Sequence, residues 1–225
     1  FGQNKWKVSL LSEQYIKGLQ DNNVMAVIKH FPGHGDTDLD SHLSLPTINH
    51  SKDFIDTVDL IPFKHNIEKG VWGAMIAHLN VPALNKKYTY PASINPDIIQ
   101  GYLIDKLKFE GLIFTDAMNM KGLTNDYPDG RAQVLALKAG VDILLMPNNT
   151  DSAMNAILLA IEKGELSKQL IEEKCRKVLE WKYKLGVMNP KAEPKALTKK
   201  QKAEIEQLCD SIAPKILTLL ENKDN

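Results

Sequence analysis

The chain has 225 residues, 43% of them hydrophobic and 25% charged, an ordinary globular composition that excludes disorder, collagen and low complexity. Lys+Arg 28 and Asp+Glu 28 cancel to a formal net charge of zero, so no global basic field exists to hold nucleic acid or an anionic membrane. No apolar run approaches the roughly 18 residues of a membrane span, and two cysteines, Cys175 and Cys209, support neither a disulfide framework nor a cysteine-based zinc site.

Taken in chain order, the opening FGQNKWKVSL has no initiator Met and leads into a helical pattern through Tyr15, Ile16 and Leu19. Four short apolar runs follow, at Val24–Ile28, Gly73–His78, Leu112–Thr115 and Val141–Met146; each is too short for a buried helix and reads as a strand. Helical patterns separate them, at about Ser51–Lys69, Asn95–Lys108, Gly130–Ala139 and Ser152–Lys163, with another at Ser167–Leu185 closed by Gly186. A last amphipathic helix, Leu197–Ala213, opens on the capping box Thr198-x-x-Gln201 and is expected to stop at Pro214. Beyond it lies KILTLLENKDN, a β-like run. Both ends read as cut from a longer protein, or as a chain cleaved on both sides.

Strands apolar on both faces, alternating with helices, argue an α/β fold with a parallel sheet covered by helices. Polar residues gather where the runs end: Lys29 and His30, His78 and Asn80, Asp116 and Asn119, and Asn148 with Asn149. In such folds the C-terminal strand ends carry the site, and four chemistry-bearing ends favour a barrel over an open sheet. A (β/α)8 barrel needs eight strands and about 250 residues. The expectation is therefore the C-terminal half of a (β/α)8 TIM-type barrel, followed by a helical linker, with the N-terminal half of the barrel missing.

The densest polar stretch, Lys29–His42, places three histidines and three aspartates within 13 residues directly after a strand. One reading is a metal site, since His and carboxylate suit zinc, manganese or iron. Its EF-hand version fails: counting from Asp36, the sixth position is Ser41 rather than Gly and the twelfth is Thr47 rather than Glu. A second reading is a polar turn whose aspartates bond their own backbone. Asp116, at the end of the apolar run Leu112–Thr115, is either the N-cap of a helix starting near Ala117 or a carboxylate kept for chemistry, because burial there is costly unless it is solvated, paired or used. His78 lines a site or is an interior histidine. Met118 and Met120 read as packing residues, and Lys86, Lys87, Lys199, Lys200 and Lys202 as solvated faces.

The stretch Lys29–His42, KHFPGHGDTDLDSH, resembles the signature of glycoside hydrolase family 3 in its β-N-acetylglucosaminidase branch. Segments 74–78, 111–120 and 139–146 resemble that family's later barrel strands in order and spacing. The resemblance implies a barrel domain over 1–187, lacking its early strands, and over 188–225 a linker helix and the start of a possible second domain. It implies Asp116 as catalytic nucleophile, His42 as general acid/base paired to Asp40, and Lys29 and His30 as holders of sugar hydroxyls. The expected partner is an oligosaccharide bearing terminal β-linked N-acetylglucosamine, derived from peptidoglycan or chitin, and the expected mechanism is retaining and needs no metal or cofactor. Gly33 and Gly35 are expected to permit the turns of the loop carrying His42. A metal-dependent hydrolase on a barrel and an inactive sugar-binding fragment are the alternatives.

Overall fold

A computed structural model describes residues 2–35, 37, 44–85, 87, 90–128, 130–188 and 196–216. The chain divides into two compact units, Phe1–Met188 and Asn189–Asn225.

The first unit is α/β. Helix α1 (Lys5–Gln20) is capped by Asn4, whose side chain accepts from the N–H groups of Trp6 and Lys7, and leads to strand β1 (Val27–Phe31). Asn23 takes a left-handed turn, φ 57°, which a short amide side chain tolerates. That turn returns Val24 N–H to the Leu19 carbonyl, so β1 begins three residues later than the apolar run does. Strands β2 (Gly73–Ile76) and β3 (Leu112–Thr115) follow. The three strands form one parallel sheet in the order β1-β2-β3, with crossover helices between them as parallel pairing requires.

The fourth apolar run is not a strand. It touches β3 by a single parallel bridge, Phe114 to Ile143. One residue further on, the Thr115 hydroxyl takes the Leu145 N–H that a ladder would give to a backbone carbonyl, and Met146 turns to φ 45°, ending the pairing.

Between β1 and β2 the expected single helix is three segments: α2 (Lys52–Phe54), a wider π-helical turn Ile55–Asp59, and α3 (Ile61–Glu68). Pro62 explains the break, because it lacks the N–H for Val58 and its ring crowds that carbonyl, so the helix widens and restarts. Between β2 and β3 the helix Asp97–Lys106 is also wound as π, for which the sequence carries no evident cause. Helices α4 (Lys121–Thr124), α5 (Arg131–Ala139), α6 (Thr150–Glu162) and α7 (Lys168–Lys184) complete the unit.

The core lies between sheet and helices. Ile28, Phe31, Ala74, Ile76 and Ile113 from the strands meet Ile55, Leu60, Ile98, Ile99 and Leu103 from the helices. Gly111 precedes β3 where a side chain would strike the Trp72 carbonyl, so only glycine lets these two segments approach.

In the second unit, helix α8 (Lys199–Ile216) is entirely exposed. Its capping box is present, with Thr198 N–H bonded to Gln201 Oε1 at 2.9 Å and Gln201 N–H to Thr198 Oγ1 at 3.2 Å. Pro214 does not stop it. The bond Pro214 removes would end on the carbonyl of Asp210, an exposed residue, where water can replace it. Residues 217–225, with the expected β-like run, lie outside the described residues. Among the described residues no helix is long and apolar enough to cross a membrane.

Candidate active site

The register of β1 against β2 aligns Ile28 with Ala74 and Phe31 with Ile76, so three steps along β1 match two along β2. The extra residue is a bulge at Lys29–His30, and bulges re-aim side chains at functional edges. Ile28 and Phe31 both enter the core, while Lys29 is exposed and His30 half-buried. Lys29 and His30 thus belong to the strand rather than following it. Both the Lys29–His30 and the Phe31–Pro32 peptides are cis.

Gly33 closes a turn onto the His30 carbonyl at 2.9 Å with φ 140°, and a Cβ there would meet Asp59 Cβ at 3.2 Å. Glycine is required at Gly33 by both geometry and space. Gly35 differs from expectation: its φ is not in the left-handed region and a side chain would meet nothing within 4 Å among the described residues. His34 accepts or donates at Nδ1 to Thr37 Oγ1, 3.1 Å away, and its ring stands edge-on to His30 at 5.8 Å. Asp36, Asp38, Asp40 and His42 lie outside the described residues, and with them the sequence expectations for Asp40 and His42.

Asp116 follows β3 directly. Its N–H continues the sheet to the Ile76 carbonyl at 2.9 Å. Oδ1 accepts the Ala117 N–H at 2.8 Å, and Oδ2 faces His30 Nε2 at 3.6 Å, beyond hydrogen-bond length, with the Asp116 side chain 16% exposed. Asp116 is not an N-cap. The next helix starts at Lys121 with Met120 at its cap position, four residues too late for the carboxylate to reach its free N–H groups. Burial pulls the His30 pKa below its ordinary value; Asp116 opposes that pull, and Lys29, His34 and His78 reinforce it. His30 therefore stands as a neutral imidazole beside the carboxylate.

His78 is an interior residue, fully buried. The Ala117 carbonyl, 2.9 Å from Nε2, can only accept, so Nε2 carries the proton. Nδ1 then accepts from the Ser93 hydroxyl at 2.7 Å. Burial pushes the His78 pKa down, against the Ala117 carbonyl and Asp116. Asn149 serves as the N-cap of α6, accepting from Ser152 N–H at 2.8 Å, a structural use for a polar strand-end residue. Met118 and Met120 are buried packing residues, Asn119 is exposed, and Lys87, Lys199, Lys200 and Lys202 are solvated.

Two participants carried no sequence signal. Ser93, fully buried, sits in a Pro-Ala-Ser-Ile stretch that reads as a turn. Asp59, which meets Gly33 and binds His50 Nδ1 at 2.8 Å, looks like one surface acid among several. Among the described residues no three His, Cys, Asp or Glu side chains group as metal ligands.

Residues 1–181 match the glycosyl hydrolase family 3 N-terminal domain. The chain belongs to that family. It is 31% identical over 204 residues to a beta-hexosaminidase A of Pseudoalteromonas piscicida, covering 82% of this chain and 34% of the relative. A family 3 beta-N-acetylglucosaminidase structure from Paenibacillus sp. superposes with a TM-score of 0.83 at 31% identity, covering 90% of this chain and 40% of that one. A beta-glucoside phosphorylase structure superposes with a TM-score of 0.84 at 26% identity, covering 92% and 40%. The chain thus spans about two fifths or less of the length of each of these three proteins.

Proposed function

We propose that the complete protein is a retaining glycosidase that removes terminal β-linked N-acetylglucosamine from peptidoglycan- or chitin-derived sugars. Membership of the family and the beta-hexosaminidase relatives support the reaction class. The observation that carries the site is Asp116: a carboxylate at a strand end whose Oδ2 makes no hydrogen bond among the described residues. In the mechanism Asp116 Oδ2 attacks the anomeric carbon and forms a C–O bond as the glycosidic C–O bond breaks. The His42 imidazolium, stabilised by Asp40, gives its proton to the leaving oxygen. Water then gives its proton to His42 and displaces Asp116, releasing the sugar with its configuration retained. Lys29 and His30, projecting together from the β1 bulge, hold the sugar hydroxyls. A histidine suits the acid/base role because it titrates near neutrality.

In the complete protein, Asp116→Ala should abolish hydrolysis of an aryl β-N-acetylglucosaminide, and azide should rescue it to give the inverted, α-configured glycosyl azide. Near-wild-type turnover in that variant would sink the reading. His42→Ala should slow substrates with poor leaving groups far more than activated aryl substrates; equal losses would assign His42 to binding or folding. Analysis of the product with phosphate present separates hydrolysis from phosphorolysis, the reaction named for the third relative.

The fold reading is the C-terminal half of a (β/α)8 barrel over 1–187, with 188–225 a linker and the start of a second domain. A groove of about 660 Å³ beside β1, lined by Val8, Ile16, Val27, Phe63 and Asn66, supports it. Asn66 is buried and its Oδ1 has no partner among the described residues, so the groove suits a further strand bringing an N–H donor. Residues 1–225 alone should dimerise or aggregate and be restored by an N-terminal half-barrel supplied in trans. A compact 25.2 kDa monomer with a cooperative melt would replace this reading with a self-contained open sheet.

A further inference from the structure

We infer that His78, held by Ser93, is a positioning residue for Asp116; the inference rests on the nucleophile reading above. One backbone group from each of the three residues after β3 is tied to one of two different neighbours. Asp116 N–H goes to Ile76 at 2.9 Å, the Ala117 carbonyl takes the His78 Nε2–H at 2.9 Å, and Met118 N–H goes to the Leu145 carbonyl at 2.8 Å. The peptide between Ala117 and Met118 is thus gripped at its oxygen from the β2 side and at its nitrogen from the 141–146 side. With that peptide fixed, the Ala117 N–H is aimed at Asp116 Oδ1 at 2.8 Å. One carboxylate oxygen is bound, and the other is left turned toward His30.

An apolar side chain at 78 would fill the same buried space and cost nothing in desolvation. What imidazole adds is a single N–H directed at a backbone acceptor, with the opposite nitrogen fixed by the Ser93 hydroxyl. Ser93 is 15 residues away in sequence and, like His78, fully buried, so the pair sets the tautomer in a place water does not reach. The consequence is orientational. A misplacement of about 1 Å at a reacting group can cost on the order of 10²-fold in rate, and the Ser93–His78–Ala117 chain restrains the one residue whose direction decides the attack.

The test is made in the complete protein with an aryl β-N-acetylglucosaminide. His78→Leu keeps the volume and removes the donor; kcat/KM should fall about 10- to 100-fold, while inhibition by free N-acetylglucosamine stays unchanged. His78→Gln, with an amide N–H for Ala117 and a carbonyl for Ser93, should recover most of the loss. Ser93→Ala should lower kcat/KM in the same sense by a smaller factor. Independently of activity, hydrogen exchange at the Ala117 and Met118 amides should speed up in His78→Leu and not in His78→Gln. Unchanged exchange and unchanged kcat/KM in His78→Leu would overturn the inference, as would equal losses in the Leu and Gln variants. If His78→Leu does not fold, Ser93→Ala decides: unchanged kcat/KM and exchange overturn it. A dead Asp116→Ala beside a fully active His78→Leu rejects the positioning role alone, whereas an active Asp116→Ala rejects the nucleophile reading itself.

Discussion

Two carboxylates bracket β3, one at each end, and they are treated in opposite ways. Asp142, beside the start of the strand, is only 3% exposed and is saturated: Lys174 lies at 3.2 Å, Lys177 at 2.8 Å and the Ile113 N–H at 3.0 Å. Asp116, at the far end, is 16% exposed and has one oxygen bound and one oxygen turned to a neutral histidine. The same side chain is a joint at one rim and, on the function proposed above, a reagent at the other. In parallel α/β folds the strand starts hold the fold together and the strand ends carry chemistry, and here the division is visible in how many donors each carboxylate receives.

The largest test of that contrast is to remove each carboxylate in turn. Asp116→Asn should lower turnover on the order of 10⁴-fold or more, as loss of a nucleophile does, and leave the melting temperature nearly unchanged. Asp142→Asn should do the reverse, destabilising by about 3 kcal/mol because two ammonium groups lose their partner in a buried site, with little change in turnover per folded molecule. A Tm loss in the first variant, or an activity loss without one in the second, would erase the distinction.

A smaller effect comes from pH. His78 and His30 are both held below the ordinary histidine value of 6.5. The unfolded chain therefore binds protons, as pH falls below 6.5, that the folded chain refuses. Stability should be full above that pH and drop by about 1 kcal/mol per unit for each histidine until its folded pKa is reached. Melts at about pH 7.5 and about 5.5 read this out, and His78→Gln should shrink the difference. The smallest effect is expected for Lys177→Met. Its side chain is 32% exposed, so solvent screens the pair and the loss should stay within about 1 kcal/mol. Lys174, 12% exposed and pulled down in pKa by burial against Asp142, remains to satisfy the carboxylate.

The parts of this arrangement legible in the sequence are those written in local pattern. Leu112–Thr115 is a strand with the boundaries its apolar run gives, and Asp116 stands out because a carboxylate so placed needs a reason. What could not be read depends on partners distant in sequence. The run at 141–146 has strand composition, yet whether it pairs is settled by a threonine hydroxyl on the neighbouring chain segment. His78 could not be assigned inside or at the site without Ser93. The N-cap alternative for Asp116 looked sound locally and fails because the chain turns through Ala117–Met120 before any helix begins. Pro62 was visible all along, but its effect on winding emerges only where Val58 meets it.

The bulge at Lys29–His30 sets a rule for variation along β1. Substitutions at either position trade one projecting group for another and leave the surrounding strand in phase. Deleting one residue of the pair has a different consequence: Ile28 and Phe31 then stand two apart, match Ala74 and Ile76 step for step and still face the core, but the bulge is gone and with it the joint projection of two basic side chains from the strand. Chain length, more than residue identity, is what maintains the bulge, and a library meant to keep both projecting positions should hold the number of residues fixed while letting the letters change.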